Sequence, residues 1–183
     1  MREYEKYLSN HNNWYALYVL TGREDYMRNM LERRLENDRV SNLRIVVPKR
    51  KLRERKHGEW SDVVRVLFPG YILINGSIGT DEYYWIKDTL GVVKLLRYGQ
   101  EIIHIEPNEI NIIAHLIGND EIIGYSKVFV EGGFIRVIDG PLLSMEGYIQ
   151  SIDHRKGRAK VKLDFLGKYM TVDLGINMIN TIN

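Results

Sequence analysis

A helical repeat is written into the first two thirds of this chain and is missing from the rest. Met27, Met30, Leu31 and Leu35 fall on one stripe, and Ile110, Ile113, Ala114 and Ile117 on another, both near the 3.6-residue period of an amphipathic helix. From Phe129 onward the apolar residues alternate or run together instead. Ile135-Arg136-Val137-Ile138, Gly147 to Ile152, Ala159 to Phe165 and Tyr169 to Leu174 are separated by Asp139-Gly140-Pro141, His154 to Gly157 and Gly167. Short strands joined by tight turns predict a small closed all-β barrel. Between the two regimes, Gly118-Asn119-Asp120-Glu121 is polar and glycine-led, as a linker is. The expected division is a first domain over 12–117, a linker over 118–125 and a second domain over 126–183.

Within the first domain, Trp14 to Leu20 reads as a buried strand, and residues 1–12 as a frayed polar end. Thr21 and Glu24 have the spacing of a capping box for a helix ending near Asn37-Asp38. Leu43 to Val47 is a strand closed by Pro48, and Lys49 to Asp62 is polar enough to be a protruding loop or hairpin. Val63 to Phe68 and Tyr71 to Asn75 are strands on either side of Pro69-Gly70. Thr80 is expected to cap a short helix with Asp81 and Glu82 in its first turn. Val92 to Tyr98 is a further strand, and Pro107 suits the first turn of the last helix. Strand, helix, strand, strand, helix, strand argues for an α+β domain with helices packed on an antiparallel sheet.

Several function classes are disfavoured. The 183 residues include no cysteine, so disulfides and thiolate metal sites are excluded. No apolar run approaches the roughly 20 residues of a membrane span, and the charged start has no signal core. A cytoplasmic protein is expected. His11, His57, His104, His115 and His154 are scattered, and Gly76 to Thr80 lacks the lysine of a phosphate-binding loop. No metal, no cofactor and no catalysis are expected. Net charge is only +2, yet the cations cluster. Lys49, Arg50, Lys51, Arg53, Arg55 and Lys56 form one run, either a solvated loop or a contact to DNA phosphates. His154, Arg155, Lys156, Arg158, Lys160 and Lys162 form another, across a hairpin turn, with Lys168 nearby. On a strand, Arg158, Lys160 and Lys162 share one face. That ridge suits structured RNA, though a barrel exterior carries charge in any case. Phe68-Pro69-Gly70-Tyr71 turns the chain sharply, and its two aromatics either fill the core or stand at the rim of the sheet.

Trp14-Tyr15, Phe68-Pro69-Gly70-Tyr71-Ile72-Leu73 and Leu90-Gly91-Val92 resemble the NGN domain of NusG-type transcription factors. Gly132, Ile135-Arg136-Val137, Asp139-Gly140-Pro141, Gly147 and Val161 through Gly167 resemble a KOW domain. The order fits along nearly the whole chain. The resemblance implies a four-stranded antiparallel sheet flanked by helices, followed by a small SH3-like barrel. It implies an elongation factor, acting as a monomer, that rides on the clamp helices of RNA polymerase and suppresses pausing and termination. Trp14, Tyr15, Phe68, Pro69, Gly70 and Tyr71 are the implied polymerase contacts. The first basic run is then placed for upstream DNA, and the second for a nascent RNA hairpin. Leu142-Leu143-Ser144-Met145-Glu146 stands where the family carries two phenylalanines that help bind a ribosomal protein or the Rho terminator. That departure favours a specialised antiterminator of the LoaP type over a general factor coupling polymerase to ribosome or Rho.

Overall fold

Alternation along Asn13–Val19 decides the first sheet. Tyr15, Leu17 and Val19 point to one face, and Trp14, Ala16 and Tyr18 to the other. The computed structural model describes residues 13–37, 43–98, 101–118 and 120–179. The expectations for residues 1–12, Asp38 and Asn119 lie outside these. Two compact units emerge. One is built from the residues up to Pro48 and from Val66–Ile110, and the other from Lys49–Arg65 and Asn111–Asn183.

The first unit contains β1 (Asn13–Val19), α1 (Glu24–Asn37) and β2 (Arg44–Val46). The hairpin of the second unit, β3 (Lys49–Lys56) and β4 (Glu59–Val66), follows in the chain. The first unit then resumes with β5 (Tyr71–Gly76), α2 (Thr80–Lys87), β6 (Val92–Leu95), β7 (Arg97–Tyr98) and β8 (Glu101–Ile102). Its sheet has the order β2-β5-β1-β6. Every pairing is antiparallel, with Leu17 opposite both Ile72 and Leu95. Tyr15, Leu17, Val19, Ile72 and Ile74 meet Met27 and Leu31 of α1 and Ile86 of α2 in one core. Each fully buried aliphatic of this kind contributes roughly 2 kcal/mol. The expected antiparallel four-stranded sheet with helices is therefore present.

Two helix starts differ from expectation. Glu24 is buried, and its carboxylate accepts Gly22 N at 2.9 Å and Gly70 N at 2.7 Å. The turn after Phe68 brings an amide donor within reach, so this carboxylate ties the loop before α1 to the Pro69-Gly70 turn. For α2 the cap is Gly79, and Thr80 is the first helical residue; Glu82 accepts Gly79 N at 2.9 Å.

In the second unit, β3 and β4 turn through His57 and Gly58, whose φ of 52° and 90° are those of a two-residue hairpin turn. The polar segment over 49–62 is thus hairpin rather than loop. α3 (Pro107–Ile117) leads into this unit, and β9 (Ile122–Ile123) pairs in parallel with Lys49 and Arg50 of β3. The segment expected as a linker therefore carries a strand. β10 (Ser126–Glu131), β11 (Phe134–Asp139), β12 (Ile149–Asp153), β13 (Arg158–Phe165) and β14 (Lys168–Ile179) form a curled sheet in the order β11-β10-β14-β13-β12. Val128, Val137, Val161, Leu163, Phe165, Val172 and Leu174 fill its interior. Gly175 of β14 has no room for a side chain: a Cβ there would stand 2.5 Å from Lys51 O and from the Tyr125 ring. Backbone on backbone is how β14 receives β3.

Candidate functional site

Two surfaces gather the residues singled out from sequence. The first is the corner between β1 and β5. Gly70 has φ +85°, accepts Val19 N at 2.8 Å through its carbonyl and is held by Glu24. A Cβ at Gly70 would lie 3.1 Å from both Thr21 Oγ1 and the Tyr18 ring, so the position needs glycine. Phe68, Trp14 and Tyr15 are buried. The expectation that their rings offer a direct contact is corrected by this burial, and Trp14 and Tyr15 pair with Asn75 and Ile74, away from the corner. Pro69 is exposed and Tyr71 is half-buried. Tyr71 pairs in register with Tyr18, the ring centroids being 5.3 Å apart. Tyr18 is exposed and was not singled out, although strand alternation from Trp14 puts it on that face. Pro69, Tyr18 and Tyr71 are thus the reachable part of this corner.

The second surface lies on the barrel unit. β13 buries Ala159, Val161, Leu163 and Phe165 and turns Lys160 and Lys162 outward, as alternation requires. The ridge is less bare than the run of cations implies. Asp173 stands opposite Lys160 on β14 and takes Arg158 Nη1 at 3.3 Å and Lys160 Nζ at 3.4 Å. Arg158 is turned inward, donating to Arg53 O at 3.1 Å, and its side chain is only 16% exposed. Lys162 Nζ sits 3.5 Å from the centroid of the Tyr169 ring, a cation–π contact. Lys168 is exposed at the β13–β14 turn. His154, Arg155 and Lys156 stand exposed at the β12–β13 tip. The tip is closed by Asp153, which accepts Lys156 N at 2.9 Å. That backbone hydrogen bond is the main cause holding the Asp153 carboxyl below the usual range.

The first basic run is also divided by its strand. Arg50 is half-buried, and its Nε and Nη1 are hidden. Burial lowers its pKa, Asp173 raises it again and Arg158 adds to the lowering. Lys49 is half-buried, while Lys51, Arg53, Arg55 and Lys56 are exposed. Asp62 of β4 accepts from the Tyr125 hydroxyl at 2.9 Å and pairs with Arg53 at 3.6 Å. Burial, then this hydrogen bond, push the Tyr125 phenol up to about 12. The two basic runs, far apart in sequence, meet here. A cleft of about 730 Å³ is lined by Arg53 and Trp60 from one hairpin and by His154, Arg155 and Lys156 from the other. Trp60 is 42% exposed. It had no place in the sequence reading, although a lone indole in a polar hairpin was the available signal. Leu142 and Met145 are buried, and Leu143 between them is exposed.

The family model described as transcription termination factor nusG matches residues 12–114. The chain is 28% identical over 178 residues to the transcription termination/antitermination protein NusG of Bacillus subtilis (strain 168), covering 93% of this chain and 98% of that protein. Against the Thermus thermophilus protein of the same name it is 27% identical over 179 residues, covering 91% and 96%. Among solved structures, Thermotoga maritima NusG, described for its domain interaction, aligns with a TM-score of 0.61 at 24% identity, over 90% of this chain and 93% of that one. At that identity the likeness speaks for the fold.

Proposed function

This chain belongs to the NusG family, and on that premise we propose that it is an elongation and antitermination factor specialised by its barrel. The first unit docks on the clamp helices of RNA polymerase through the corner of Pro69, Tyr18 and Tyr71. Aromatic anchors of this kind supply most of the affinity where a helix is gripped. The barrel unit binds a structured leader RNA and directs the factor to particular operons. Lys51, Arg55 and Lys56 of β3 are available for upstream DNA. No bond is made or broken; the factor favours one polymerase conformation by binding it better. Two modest contacts on one chain raise each other's effective concentration.

The observation that carries the reading is the exposed cationic tip of β12–β13, with His154, Arg155 and Lys156 flanked by the outward Lys160 and Lys162. The test has two arms on the full chain. Tyr18→Ala with Tyr71→Ala is expected to weaken retention on core polymerase by roughly tenfold or more, with the circular dichroism spectrum unchanged. Arg155→Ala and Lys156→Ala are each expected to weaken binding of a leader hairpin and to flatten its salt slope by somewhat under one unit. Unchanged retention in the first arm refutes the docking corner. Unchanged affinity and slope in the second refute the RNA assignment.

A general factor coupling polymerase to the ribosome or Rho is the second reading. Phe134 and Leu143, exposed on the barrel unit, favour it. Capture of a ribosomal protein with no selective RNA would establish it in place of the first.

A further inference from the structure

We infer that the cleft between the β3–β4 and β12–β13 hairpins receives an unpaired RNA base, stacked on Trp60, with its phosphates held by Arg155 and Lys156. The inference rests on the RNA-binding reading and names what that site recognises.

Trp60 and Arg155 line the cleft of about 730 Å³ and also an adjoining one of about 440 Å³. The indole therefore stands between two hollows, with cations from both hairpins around it. The larger volume lies within the range that encloses a small organic ligand. Both walls are fixed. Gly157, at φ +61°, accepts Ile176 N at 2.9 Å, which clamps the cationic turn to β14. A side chain at Gly157 would stand 3.0 Å from Ile176 O. On the opposite wall Asp62 is held by the Tyr125 hydroxyl and by Arg53. That pairing restrains Arg53, while Arg55 and Arg155 stand exposed beside the indole.

The chemistry distinguishes among ligands. A base has two flat faces that stack on an aromatic ring whatever its identity, and the next phosphates along the strand reach cations to either side. In a paired A-form helix the bases are already stacked and only the backbone is offered. A concave site with one exposed indole and a cationic rim is thus matched to a loop, bulge or single strand. The rim is too strongly charged, and its apolar surface too small, for a protein helix gripped by hydrophobic anchors.

The experiment uses the full-length protein and two fluorescein-labelled RNAs. One is a stem closed by a loop of mixed-sequence unpaired nucleotides; the other is the same stem as a blunt duplex. Fluorescence anisotropy gives the affinity of wild type, Trp60→Ala, Trp60→Phe and Arg155→Ala for each. Trp60→Ala is expected to lose about tenfold on the looped RNA and nothing on the duplex. Trp60→Phe retains most of the looped-RNA affinity, and Arg155→Ala weakens both RNAs. Equal affinity of Trp60→Ala and wild type for the looped RNA, with Arg155→Ala still impaired, overturns the stacking site and leaves the RNA reading standing. No binding of either RNA by wild type overturns both. Loss of polymerase retention by Trp60→Ala with RNA affinity intact assigns the cleft to a protein and overturns the inference.

Discussion

Replacing Asp173 by asparagine should lower the stability of the barrel unit and raise its affinity for RNA. Asp173 takes Arg158 at 3.3 Å and Lys160 at 3.4 Å, with 29% of its own side chain exposed. A hydrogen bond to a charged group contributes about 1.5–3 kcal/mol net. Breaking a fully buried pair costs about 3–5 kcal/mol because one charge is left stranded. Asp173 is partly open to water, which discounts that figure, and the Lys160 contact is a surface pair worth about 0.5 kcal/mol. Arg158 is the costly partner: its side chain is mostly hidden and its Nε already lacks an acceptor among the described residues. Arg50, already depressed by burial, also loses the carboxylate that offsets it. The sum is a loss of about 2 kcal/mol. It should appear as faster amide exchange along β13 and β14. Against RNA the sign reverses, since Lys160 is released to meet phosphate. The salt dependence should steepen by about 0.7 log units for a single-stranded contact. Unchanged exchange with an unchanged salt slope would refute the claim that Asp173 holds the ridge in check.

Two further outcomes follow from local geometry. Gly70→Ala should destabilise the first unit by about 2–3 kcal/mol, combining left-handed strain with the crowding of Tyr18 and Thr21. Gly22→Ala, at φ +84° with no atom of the described residues within 4 Å of the added Cβ, supplies the strain alone and should cost about 1–2 kcal/mol; equal urea midpoints for the two variants would remove the crowding argument. The Tyr125 phenol, pushed up to about 12, should titrate late in an ultraviolet phenolate titration. A difference between wild type and Tyr125→Phe isolates it from the other tyrosines. The folded state holds this proton more tightly than the unfolded chain. Its contribution is therefore intact below about pH 10, the ordinary tyrosine value, and is lost as pH climbs toward about 12.

The fold was legible wherever one face of an element decides its burial. Val161, Leu163 and Phe165 announce a strand because every second residue must leave water, and Met27 with Leu31 announce a helix for the matching reason. Pro69-Gly70 declared a turn, since few other pairs combine a fixed φ with a free one. Glu24 was legible as a helix-start residue but not as a partner of Gly70, because that bond joins residues 46 apart in the chain. The hairpin over 49–66 was legible as polar but not as part of the second unit. Its attachment there runs through the missing side chain of Gly175 and through β9, two signals that carry no periodicity.

The candidate sites divide along the same physical line. A run of cations in sequence counts charges, whereas a surface potential counts what remains after cross-strand partners are seated. Lys160 and Asp173 are 13 residues apart and directly opposed, so the acid that tempers the β13 ridge is invisible to any local window. The same strand geometry half-buries Arg50 and turns Arg158 inward, while Lys160, Lys162 and the tip at His154, Arg155 and Lys156 stay exposed. Phe68 is hidden and Tyr18 stands exposed for one reason. The tight turn that Gly70 makes possible draws the first ring into the core and leaves Tyr71 at the rim, where antiparallel register supplies its partner. What a folded sheet exposes is set by pairing across strands, and pairing is the quantity a single strand's sequence does not contain.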